Sequence, residues 1–402
     1  MKKIVIFGAG NIGRSFIGQL FSRSGYEVVF VDIEQPIIEA LNQRGYYNVV
    51  IKGKDEEIIR VDNVRGVLAS DEEKVAEEIS TADIISSCVG SSALIHVIPL
   101  VALGLKKRYQ KNKDLPLDII IAVNMRNAEE FFRKELKKAM GPDYPLERLV
   151  GLVETSIGKM VPIMTKKDRE EDILQVFAEP YNTLILNKKG FKNPIPEVEG
   201  LAPKDNMKAW VDRKLFIHNL GHAAAAYIGY LHNRDFVYLY EALAVRRIWE
   251  KTEETMMQSA DILMKEHPGE FTKTGLVEHI DDLLQRFENK ALGDTIYRVG
   301  RDLLRKLGPE DRLAGAVKLG LKHNKDVDRI IYALTCGFYF RATDESGNMF
   351  ERDKEFVERY YKKGIDHILT EVCGFDKHNE RMVFEKCKKY AKEIKSQYNI
   401  EG

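Results

Sequence analysis

The chain has 402 residues, with 62 Lys and Arg set against 62 Asp and Glu and a formal charge of zero. That balance excludes a protein whose affinity rests on a bulk basic surface, as general nucleic-acid or anionic-membrane binding does, but allows a local basic pocket. Hydrophobic residues at 44% and charged residues at 31% describe a folded chain long enough for two domains, each with its own core.

The predicted elements begin with a buried strand, Lys3 to Phe7 (KIVIF), which is rich in β-branched residues and ends at Gly8. An amphipathic helix is expected from about Asn11 to Ser24, then a strand from Glu27 to Val31 closed by Asp32, then a helix from about Pro36 to Arg44. Ile58 to Val67 reads as alternating strand patches, Glu72 to Thr81 as a helix, and Asp83 to Val89 and Asp118 to Val123 as further buried strands. The uncharged stretch Ile84 to Leu105 is long enough to span a bilayer. Its serines, His96 and Pro99 divide it instead into a short strand, a Ser/Gly turn and a buried helix. The basic run Lys106 to Lys113 reads as a solvated loop, and Val176 to Leu186 as strand.

Strands alternating with helices predict a mostly parallel sheet, an α/β Rossmann-type doubly wound N-terminal domain. Pro194, Pro196, Gly200 and Pro203 mark a change of texture, which places the domains at 1–195 and 196–402. From Asp205 onward the periodicity is helical, so the second domain is expected to be all-α. Four cysteines, Cys88, Cys336, Cys373 and Cys387, make no CxxC and no zinc-finger spacing. No metal site and a reducing, cytoplasmic compartment are expected. Met1-Lys2-Lys3 and the four apolar residues that follow do not make a signal peptide.

Gly8-Ala9-Gly10-Asn11-Ile12-Gly13 is a GxGxxG between the first strand and its helix. Gly8 permits the tight turn, Gly10 lets a pyrophosphate approach the backbone, and Gly13 lets helix and strand pack closely. The N–H groups at the helix start, at Asn11 and Ile12, and the helix dipole favour phosphate. Asp32 lies 19 positions after Gly13, where a carboxylate accepts from a ribose 2′-OH and repels a 2′-phosphate, so the cofactor expected is NAD. Arg14 either touches the phosphates or is solvated. Val89, at the end of a later strand, is expected along the cofactor at the switch point of the sheet.

In the helical half, Val211 to Tyr227 (VDRKLFIHNLGHAAAAY) concentrates polar groups in an apolar stretch. At about 100° per residue, His218, His222 and Asn219 fall near 40°, 80° and 140° from Lys214. Oxidising an alcohol needs a base for the hydroxyl proton and donors for the developing alkoxide. A desolvated lysine serves as that base once its pKa falls by ~2–3 units. Asn219 and His222 are candidates to hold the oxygen, and Ala223 to Ala226 allow close approach of another element.

The spacing Lys-x4-Asn-x2-His at Lys214, Asn219 and His222 resembles the catalytic signature of the polyol-specific long-chain dehydrogenases, the mannitol dehydrogenase family. The segments Ile4–Gly18, Asp212–Gly229 and Arg286–Leu313 are similar to that family too, and the resemblance runs through at least residue 340. It implies a metal-independent, NAD-linked secondary-alcohol dehydrogenase with Lys214 as general base and Asn219 and His222 on the reacting oxygen. It further implies that Asn124 binds substrate or cofactor, that Arg298 and Lys306 bind substrate, and that the protein is a monomer. Two departures stand out. Val123 occupies a position where relatives usually carry an acid, and Gly158-Lys159 stands where they often have Asp-Arg. Glu154 is a candidate substitute for the missing acid.

Between Arg298 and Lys325, eight cations oppose Asp302, Glu310 and Asp311, a local excess of five. Guanidinium and ammonium groups match phosphate or carboxylate. With the resemblance, the expected reaction interconverts the sugar phosphates mannitol 1-phosphate and fructose 6-phosphate. The alternatives are an unphosphorylated polyol dehydrogenase, a hexuronate reductase acting on tagaturonate or fructuronate, and a catalytically silent NAD-binding sensor.

Overall fold

The structure is a computed structural model and describes residues 1–53, 55–125 and 127–400. The chain divides into two compact units, Met1–Trp210 and Val211–Gly402.

The first unit carries β1 (Lys3–Phe7), β2 (Glu27–Asp32), β3 (Tyr46–Lys52), β4 (Glu56–Asp62), β5 (Val64–Leu68), β6 (Ile84–Ser87), β7 (Leu117–Ile121), β8 (Val150–Ser156), β9 (Val176–Ala178), β10 (Leu184–Asn187) and β11 (Leu201–Lys204). Eight of these form one sheet in the order β11-β10-β8-β7-β6-β1-β2-β5. Neighbours run parallel except β10 against β8. Alternate residues of β1 enter opposite cores. Val5 and Phe7 join Ile79, Val101 and Phe132 on one face, while Ile4 and Ile6 join Phe16, Ile17 and Tyr47 on the other. Burial of both faces is why KIVIF is apolar throughout instead of alternating. The doubly wound α/β expectation therefore holds. β4, β3 and β9 form a separate three-stranded sheet.

Several local expectations are sharpened or corrected. The strand patches of Ile58–Val67 belong to two strands, β4 and β5, in different sheets. Asn63 turns the chain at φ 58°, sending β4 to the small sheet and β5 to the large one. Val176–Leu186 likewise splits into β9 and β10 around Pro180, which has no N–H for a ladder. The basic run Lys106–Lys113 is not a loop, because its first six residues close the helix Leu94–Lys111. Arg108 is buried there and donates to the carbonyls of Leu115, Ser80, Ala82 and Pro116 at 2.8–3.2 Å. One guanidinium thus satisfies four carbonyls at the ends of neighbouring segments. Ile84–Leu105 divides as expected, into β6, a short turn at Ser91–Ala93 and the start of the Leu94–Lys111 helix. No helix among the described residues is long and apolar enough to cross a membrane.

The second unit is helical, and the isolated bridge Tyr238↔Thr295 is its β pairing among the described residues. Its centre is the helix Leu220–His232, in which eleven of thirteen residues are buried. Small side chains make this burial possible. A Cβ on Gly229 would lie 2.5 Å from the Ala242 Cβ, and one on Gly221 would lie 2.4 Å from the Met256 sulfur.

Candidate active site

In the first unit the chain leaves β1 through Gly8, whose φ of +98° favours glycine. A Cβ there would meet the Cys88 carbonyl and the Val89 side chain at 3.2 Å, so the ends of β1 and β6 nearly touch. Strand order reverses here: β1 continues outward through β2 in one direction and β6 in the other. A Cβ on Gly13 would stand 1.9 Å from the Gly8 oxygen. Protein packing therefore requires glycine at both ends of the motif. At Gly10 nothing lies within 4 Å of the Cβ position. The protein itself does not demand that glycine; an approaching phosphate does, and the residues present fit one. The first N–H groups of the helix, at Asn11 and Ile12, have no intrahelical acceptor.

Asp32 shapes this turn. One of its oxygens accepts from Ala9 N at 2.6 Å and the other from Glu34 N at 3.0 Å. Each oxygen keeps a lone pair for a ribose hydroxyl. Arg14 is not solvated. It is buried, donating to Ala9 O at 2.6 Å and to Leu174 O at 2.6 Å, and so straps the turn to the segment before β9. Asn124 lies exposed beyond β7, next in the sheet to β6. Val123 is buried in the apolar core.

Lys159 donates to Glu179 O at 3.2 Å, Tyr181 O at 2.7 Å and Asn182 Oδ1 at 3.0 Å. Glu154 sits on β8 opposite Ile121, and its carboxyl is pushed up by burial and then by Glu129 and Glu130. β8 ends at Ser156, so Glu154 lies on the strand and Gly158 beyond it.

In the second unit Lys214 begins a π-helical segment, Lys214–Asn219. Bonding from i to i+5 brings the residue five positions on closer to alignment with the first. Asn219 therefore turns toward the Lys214 face from the 140° that a regular α-helix imposes. Burial lowers the Lys214 pKa to about 8, with the Arg312 guanidinium adding to the effect. Arg312 is itself buried, its Nε on Asp311 Oδ1 at 2.8 Å and its Nη1 3.4 Å from Asn219 O.

His222 follows on the next turn, stacked on Phe287 with centroids 4.5 Å apart. Its Nε2 stands 3.3 Å from Asp294 Oδ2 without forming a well-directed hydrogen bond. Burial pulls the imidazole pKa down against the pull of Asp294, which leaves it neutral. His218 is buried beside the same phenyl ring and is held well below its usual pKa by burial, then Arg286.

The other oxygen of Asp294 receives Arg298. Lys306 is buried and donates to Val299 O, and its charge acts on His222. Lys214, Asn219, His222, Arg298 and Lys306 thus belong to one cluster. Sequence reasoning missed Phe287 and Asp294 and read Arg312 only as one of the run of cations, though all three hold that cluster together. The one available signal was the four-residue spacing from Asp294 to Arg298. Among the described residues no three His, Cys, Asp or Glu side chains gather as a metal site would need.

A glycine turn shaped for phosphate and a lysine brought near neutrality place the protein among the two-domain oxidoreductases built on a Rossmann-type sheet. The mannitol dehydrogenase Rossmann domain matches residues 2–200 and the mannitol dehydrogenase C-terminal domain matches residues 206–395, so the chain belongs to the mannitol dehydrogenase family. D-sorbitol dehydrogenase in substrate-free form resembles it with a TM-score of 0.81 at 17% identity, over 98% of this chain and 93% of that one. Pseudomonas fluorescens mannitol 2-dehydrogenase, in a ternary complex with NAD and D-mannitol, does so at 0.76 and 15%, over 98% and 92%. At such identities the likeness is one of fold.

Proposed function

We propose that the protein is an NAD-dependent polyol phosphate dehydrogenase that interconverts mannitol 1-phosphate and fructose 6-phosphate. The observation that carries the chemistry is Lys214, whose pKa of about 8 lets a lysine act as base near neutral pH. NAD, when bound, supplies the acceptor for the hydride. Gly8, Gly10, Asn11, Ile12 and Gly13 hold its pyrophosphate, Asp32 its ribose, and Val89 and Asn124 line the path toward the reacting end. Lys214 takes the hydroxyl proton in the oxidative direction and returns it in the reductive one. Asn219 and His222 bind the reacting oxygen, and Arg298 and Lys306 bind the remainder of the sugar.

The cationic segment after Arg298 and the family resemblance support a phosphorylated substrate. NADH oxidation with fructose 6-phosphate, fructose, tagaturonate and fructuronate tests the reading. Turnover of fructose 6-phosphate alone is expected. Turnover of an unphosphorylated ketose alone rejects the phosphate, and NADH binding without any turnover points to a sensor.

A further inference from the structure

On the phosphate-ester reading above, we propose that Arg301 is a phosphate-docking group that sets the preference for a phosphorylated over an unphosphorylated ketose. The local excess of positive charge is mostly consumed within the protein. Arg298 is held by Asp294, Arg305 by Asp302 and Asp311, Arg312 by Asp311, and Lys322 by Glu266. Lys306 and Lys318 donate to the carbonyls of Val299 and Gly374. Two cations remain. Lys325 is exposed, with no side-chain partner among the described residues. Arg301 is half-buried and placed differently.

The Arg301 guanidinium lies 5.3 Å from the Tyr297 ring centroid and 5.4 Å from that of Phe350. Aromatic faces steady a cation without using any of its five N–H donors. No carboxylate or carbonyl receives those donors among the described residues. The neighbouring acid, Asp302, is occupied by Arg305 and Arg352. A guanidinium oriented by two rings and lacking a counter-ion matches the bidentate geometry of a phosphate monoester.

Its position is tied to the reacting end. Gly300, the preceding residue, accepts the Tyr227 hydroxyl at 3.0 Å. Tyr227 lies five residues beyond His222 on one helix, on the order of 7.5 Å along the axis. Arg298, three residues before Arg301, is held by Asp294, whose other oxygen stands 3.3 Å from His222 Nε2, so Arg301 starts about one helical turn from the carboxylate that meets the His222 edge.

The test uses the whole enzyme with NADH and measures kcat/KM for fructose 6-phosphate and for fructose. Arg301→Met is expected to reduce the ratio of the two by about 10- to 100-fold, mainly through KM. Arg301→Lys should recover part of the ratio, and Lys325→Ala should leave it unchanged. An unchanged ratio in Arg301→Met overturns the proposal. Inorganic phosphate separates this result from failure of the reaction reading. If the wild type does not prefer the phosphorylated ketose, that reading fails. Competition by phosphate that is weakened in Arg301→Met then still supports the docking role, while equal competition in both proteins rejects it.

Discussion

The His222 imidazole lies flat on the Phe287 ring, 4.5 Å between centroids and 9° from parallel, while Asp294 stands 3.3 Å from its Nε2. A ring clamped on its face and approached at its edge has one orientation left. Phe287→Leu keeps much of the buried volume and removes the flat face. We expect kcat for ketose reduction to fall about tenfold, with the dissociation constant of NADH unchanged. Steady-state kinetics with an NADH titration provide the check, and an undiminished kcat would show that the stack does not orient the imidazole.

Lys214 has its pKa lowered to about 8, so it is protonated below that pH and neutral above it. Oxidation needs the neutral amine, and its kcat/KM should rise with pH and level off above about 8. Reduction needs the ammonium and should fall over the same interval. Arg312→Gln removes the charge that adds to the effect of burial, and should move both midpoints upward. Lys214→Ala should cost about 10²- to 10⁴-fold in kcat while NADH still binds. Near-normal turnover in that variant removes the assignment.

Asp32 combines two roles that its variants separate. Asparagine keeps an acceptor for Ala9 N but loses the charge that repels a 2′-phosphate. Asp32→Asn should therefore raise kcat/KM for NADPH relative to NADH by about tenfold. Asp32→Ala also loses the anchor of the turn, and should bind NADH about tenfold more weakly than the asparagine variant. Equal NADH affinity in the two variants would argue that the anchor is dispensable.

Arg108 should matter for stability and not for turnover. Arg108→Leu leaves the carbonyls of Ser80, Ala82, Leu115 and Pro116 without their donor. Each buried orphan costs ~1–3 kcal/mol, so a loss of about 3 kcal/mol or more is expected. Thermal melting would register it as a lower Tm. A Tm equal to that of the wild type would mean that water replaces the guanidinium.

Much of the first unit was legible because its signals are local. KIVIF followed by GxGxxG states a buried strand, a tight turn and a close-packed helix within a dozen residues, and each glycine has a steric or ligand reason. Strands that part company were not legible. Ile58–Val67 shows strand patches, yet only the left-handed Asn63 reveals that they go to different sheets. Lys106–Lys113 reads as solvated by composition, since composition does not reveal that Arg108 turns inward.

The neutral charge total illustrates the same division at the site. By itself the sequence carried the dinucleotide turn and the Lys-Asn-His string, both short-range spacings along the chain, and through them the resemblance that pointed to the family. Tertiary structure alone decided which cations are spent and which remain. Asp294 with His222, Arg312 beside Asn219, and Arg301 against Phe350 are fixed by where distant segments pack. The π-helical segment at Lys214–Asn219 belongs with them, since it realigns residues that a regular helix would hold apart. The same packing that desolvates Lys214 and brings Arg312 near it sets a basicity that no count of charges contains.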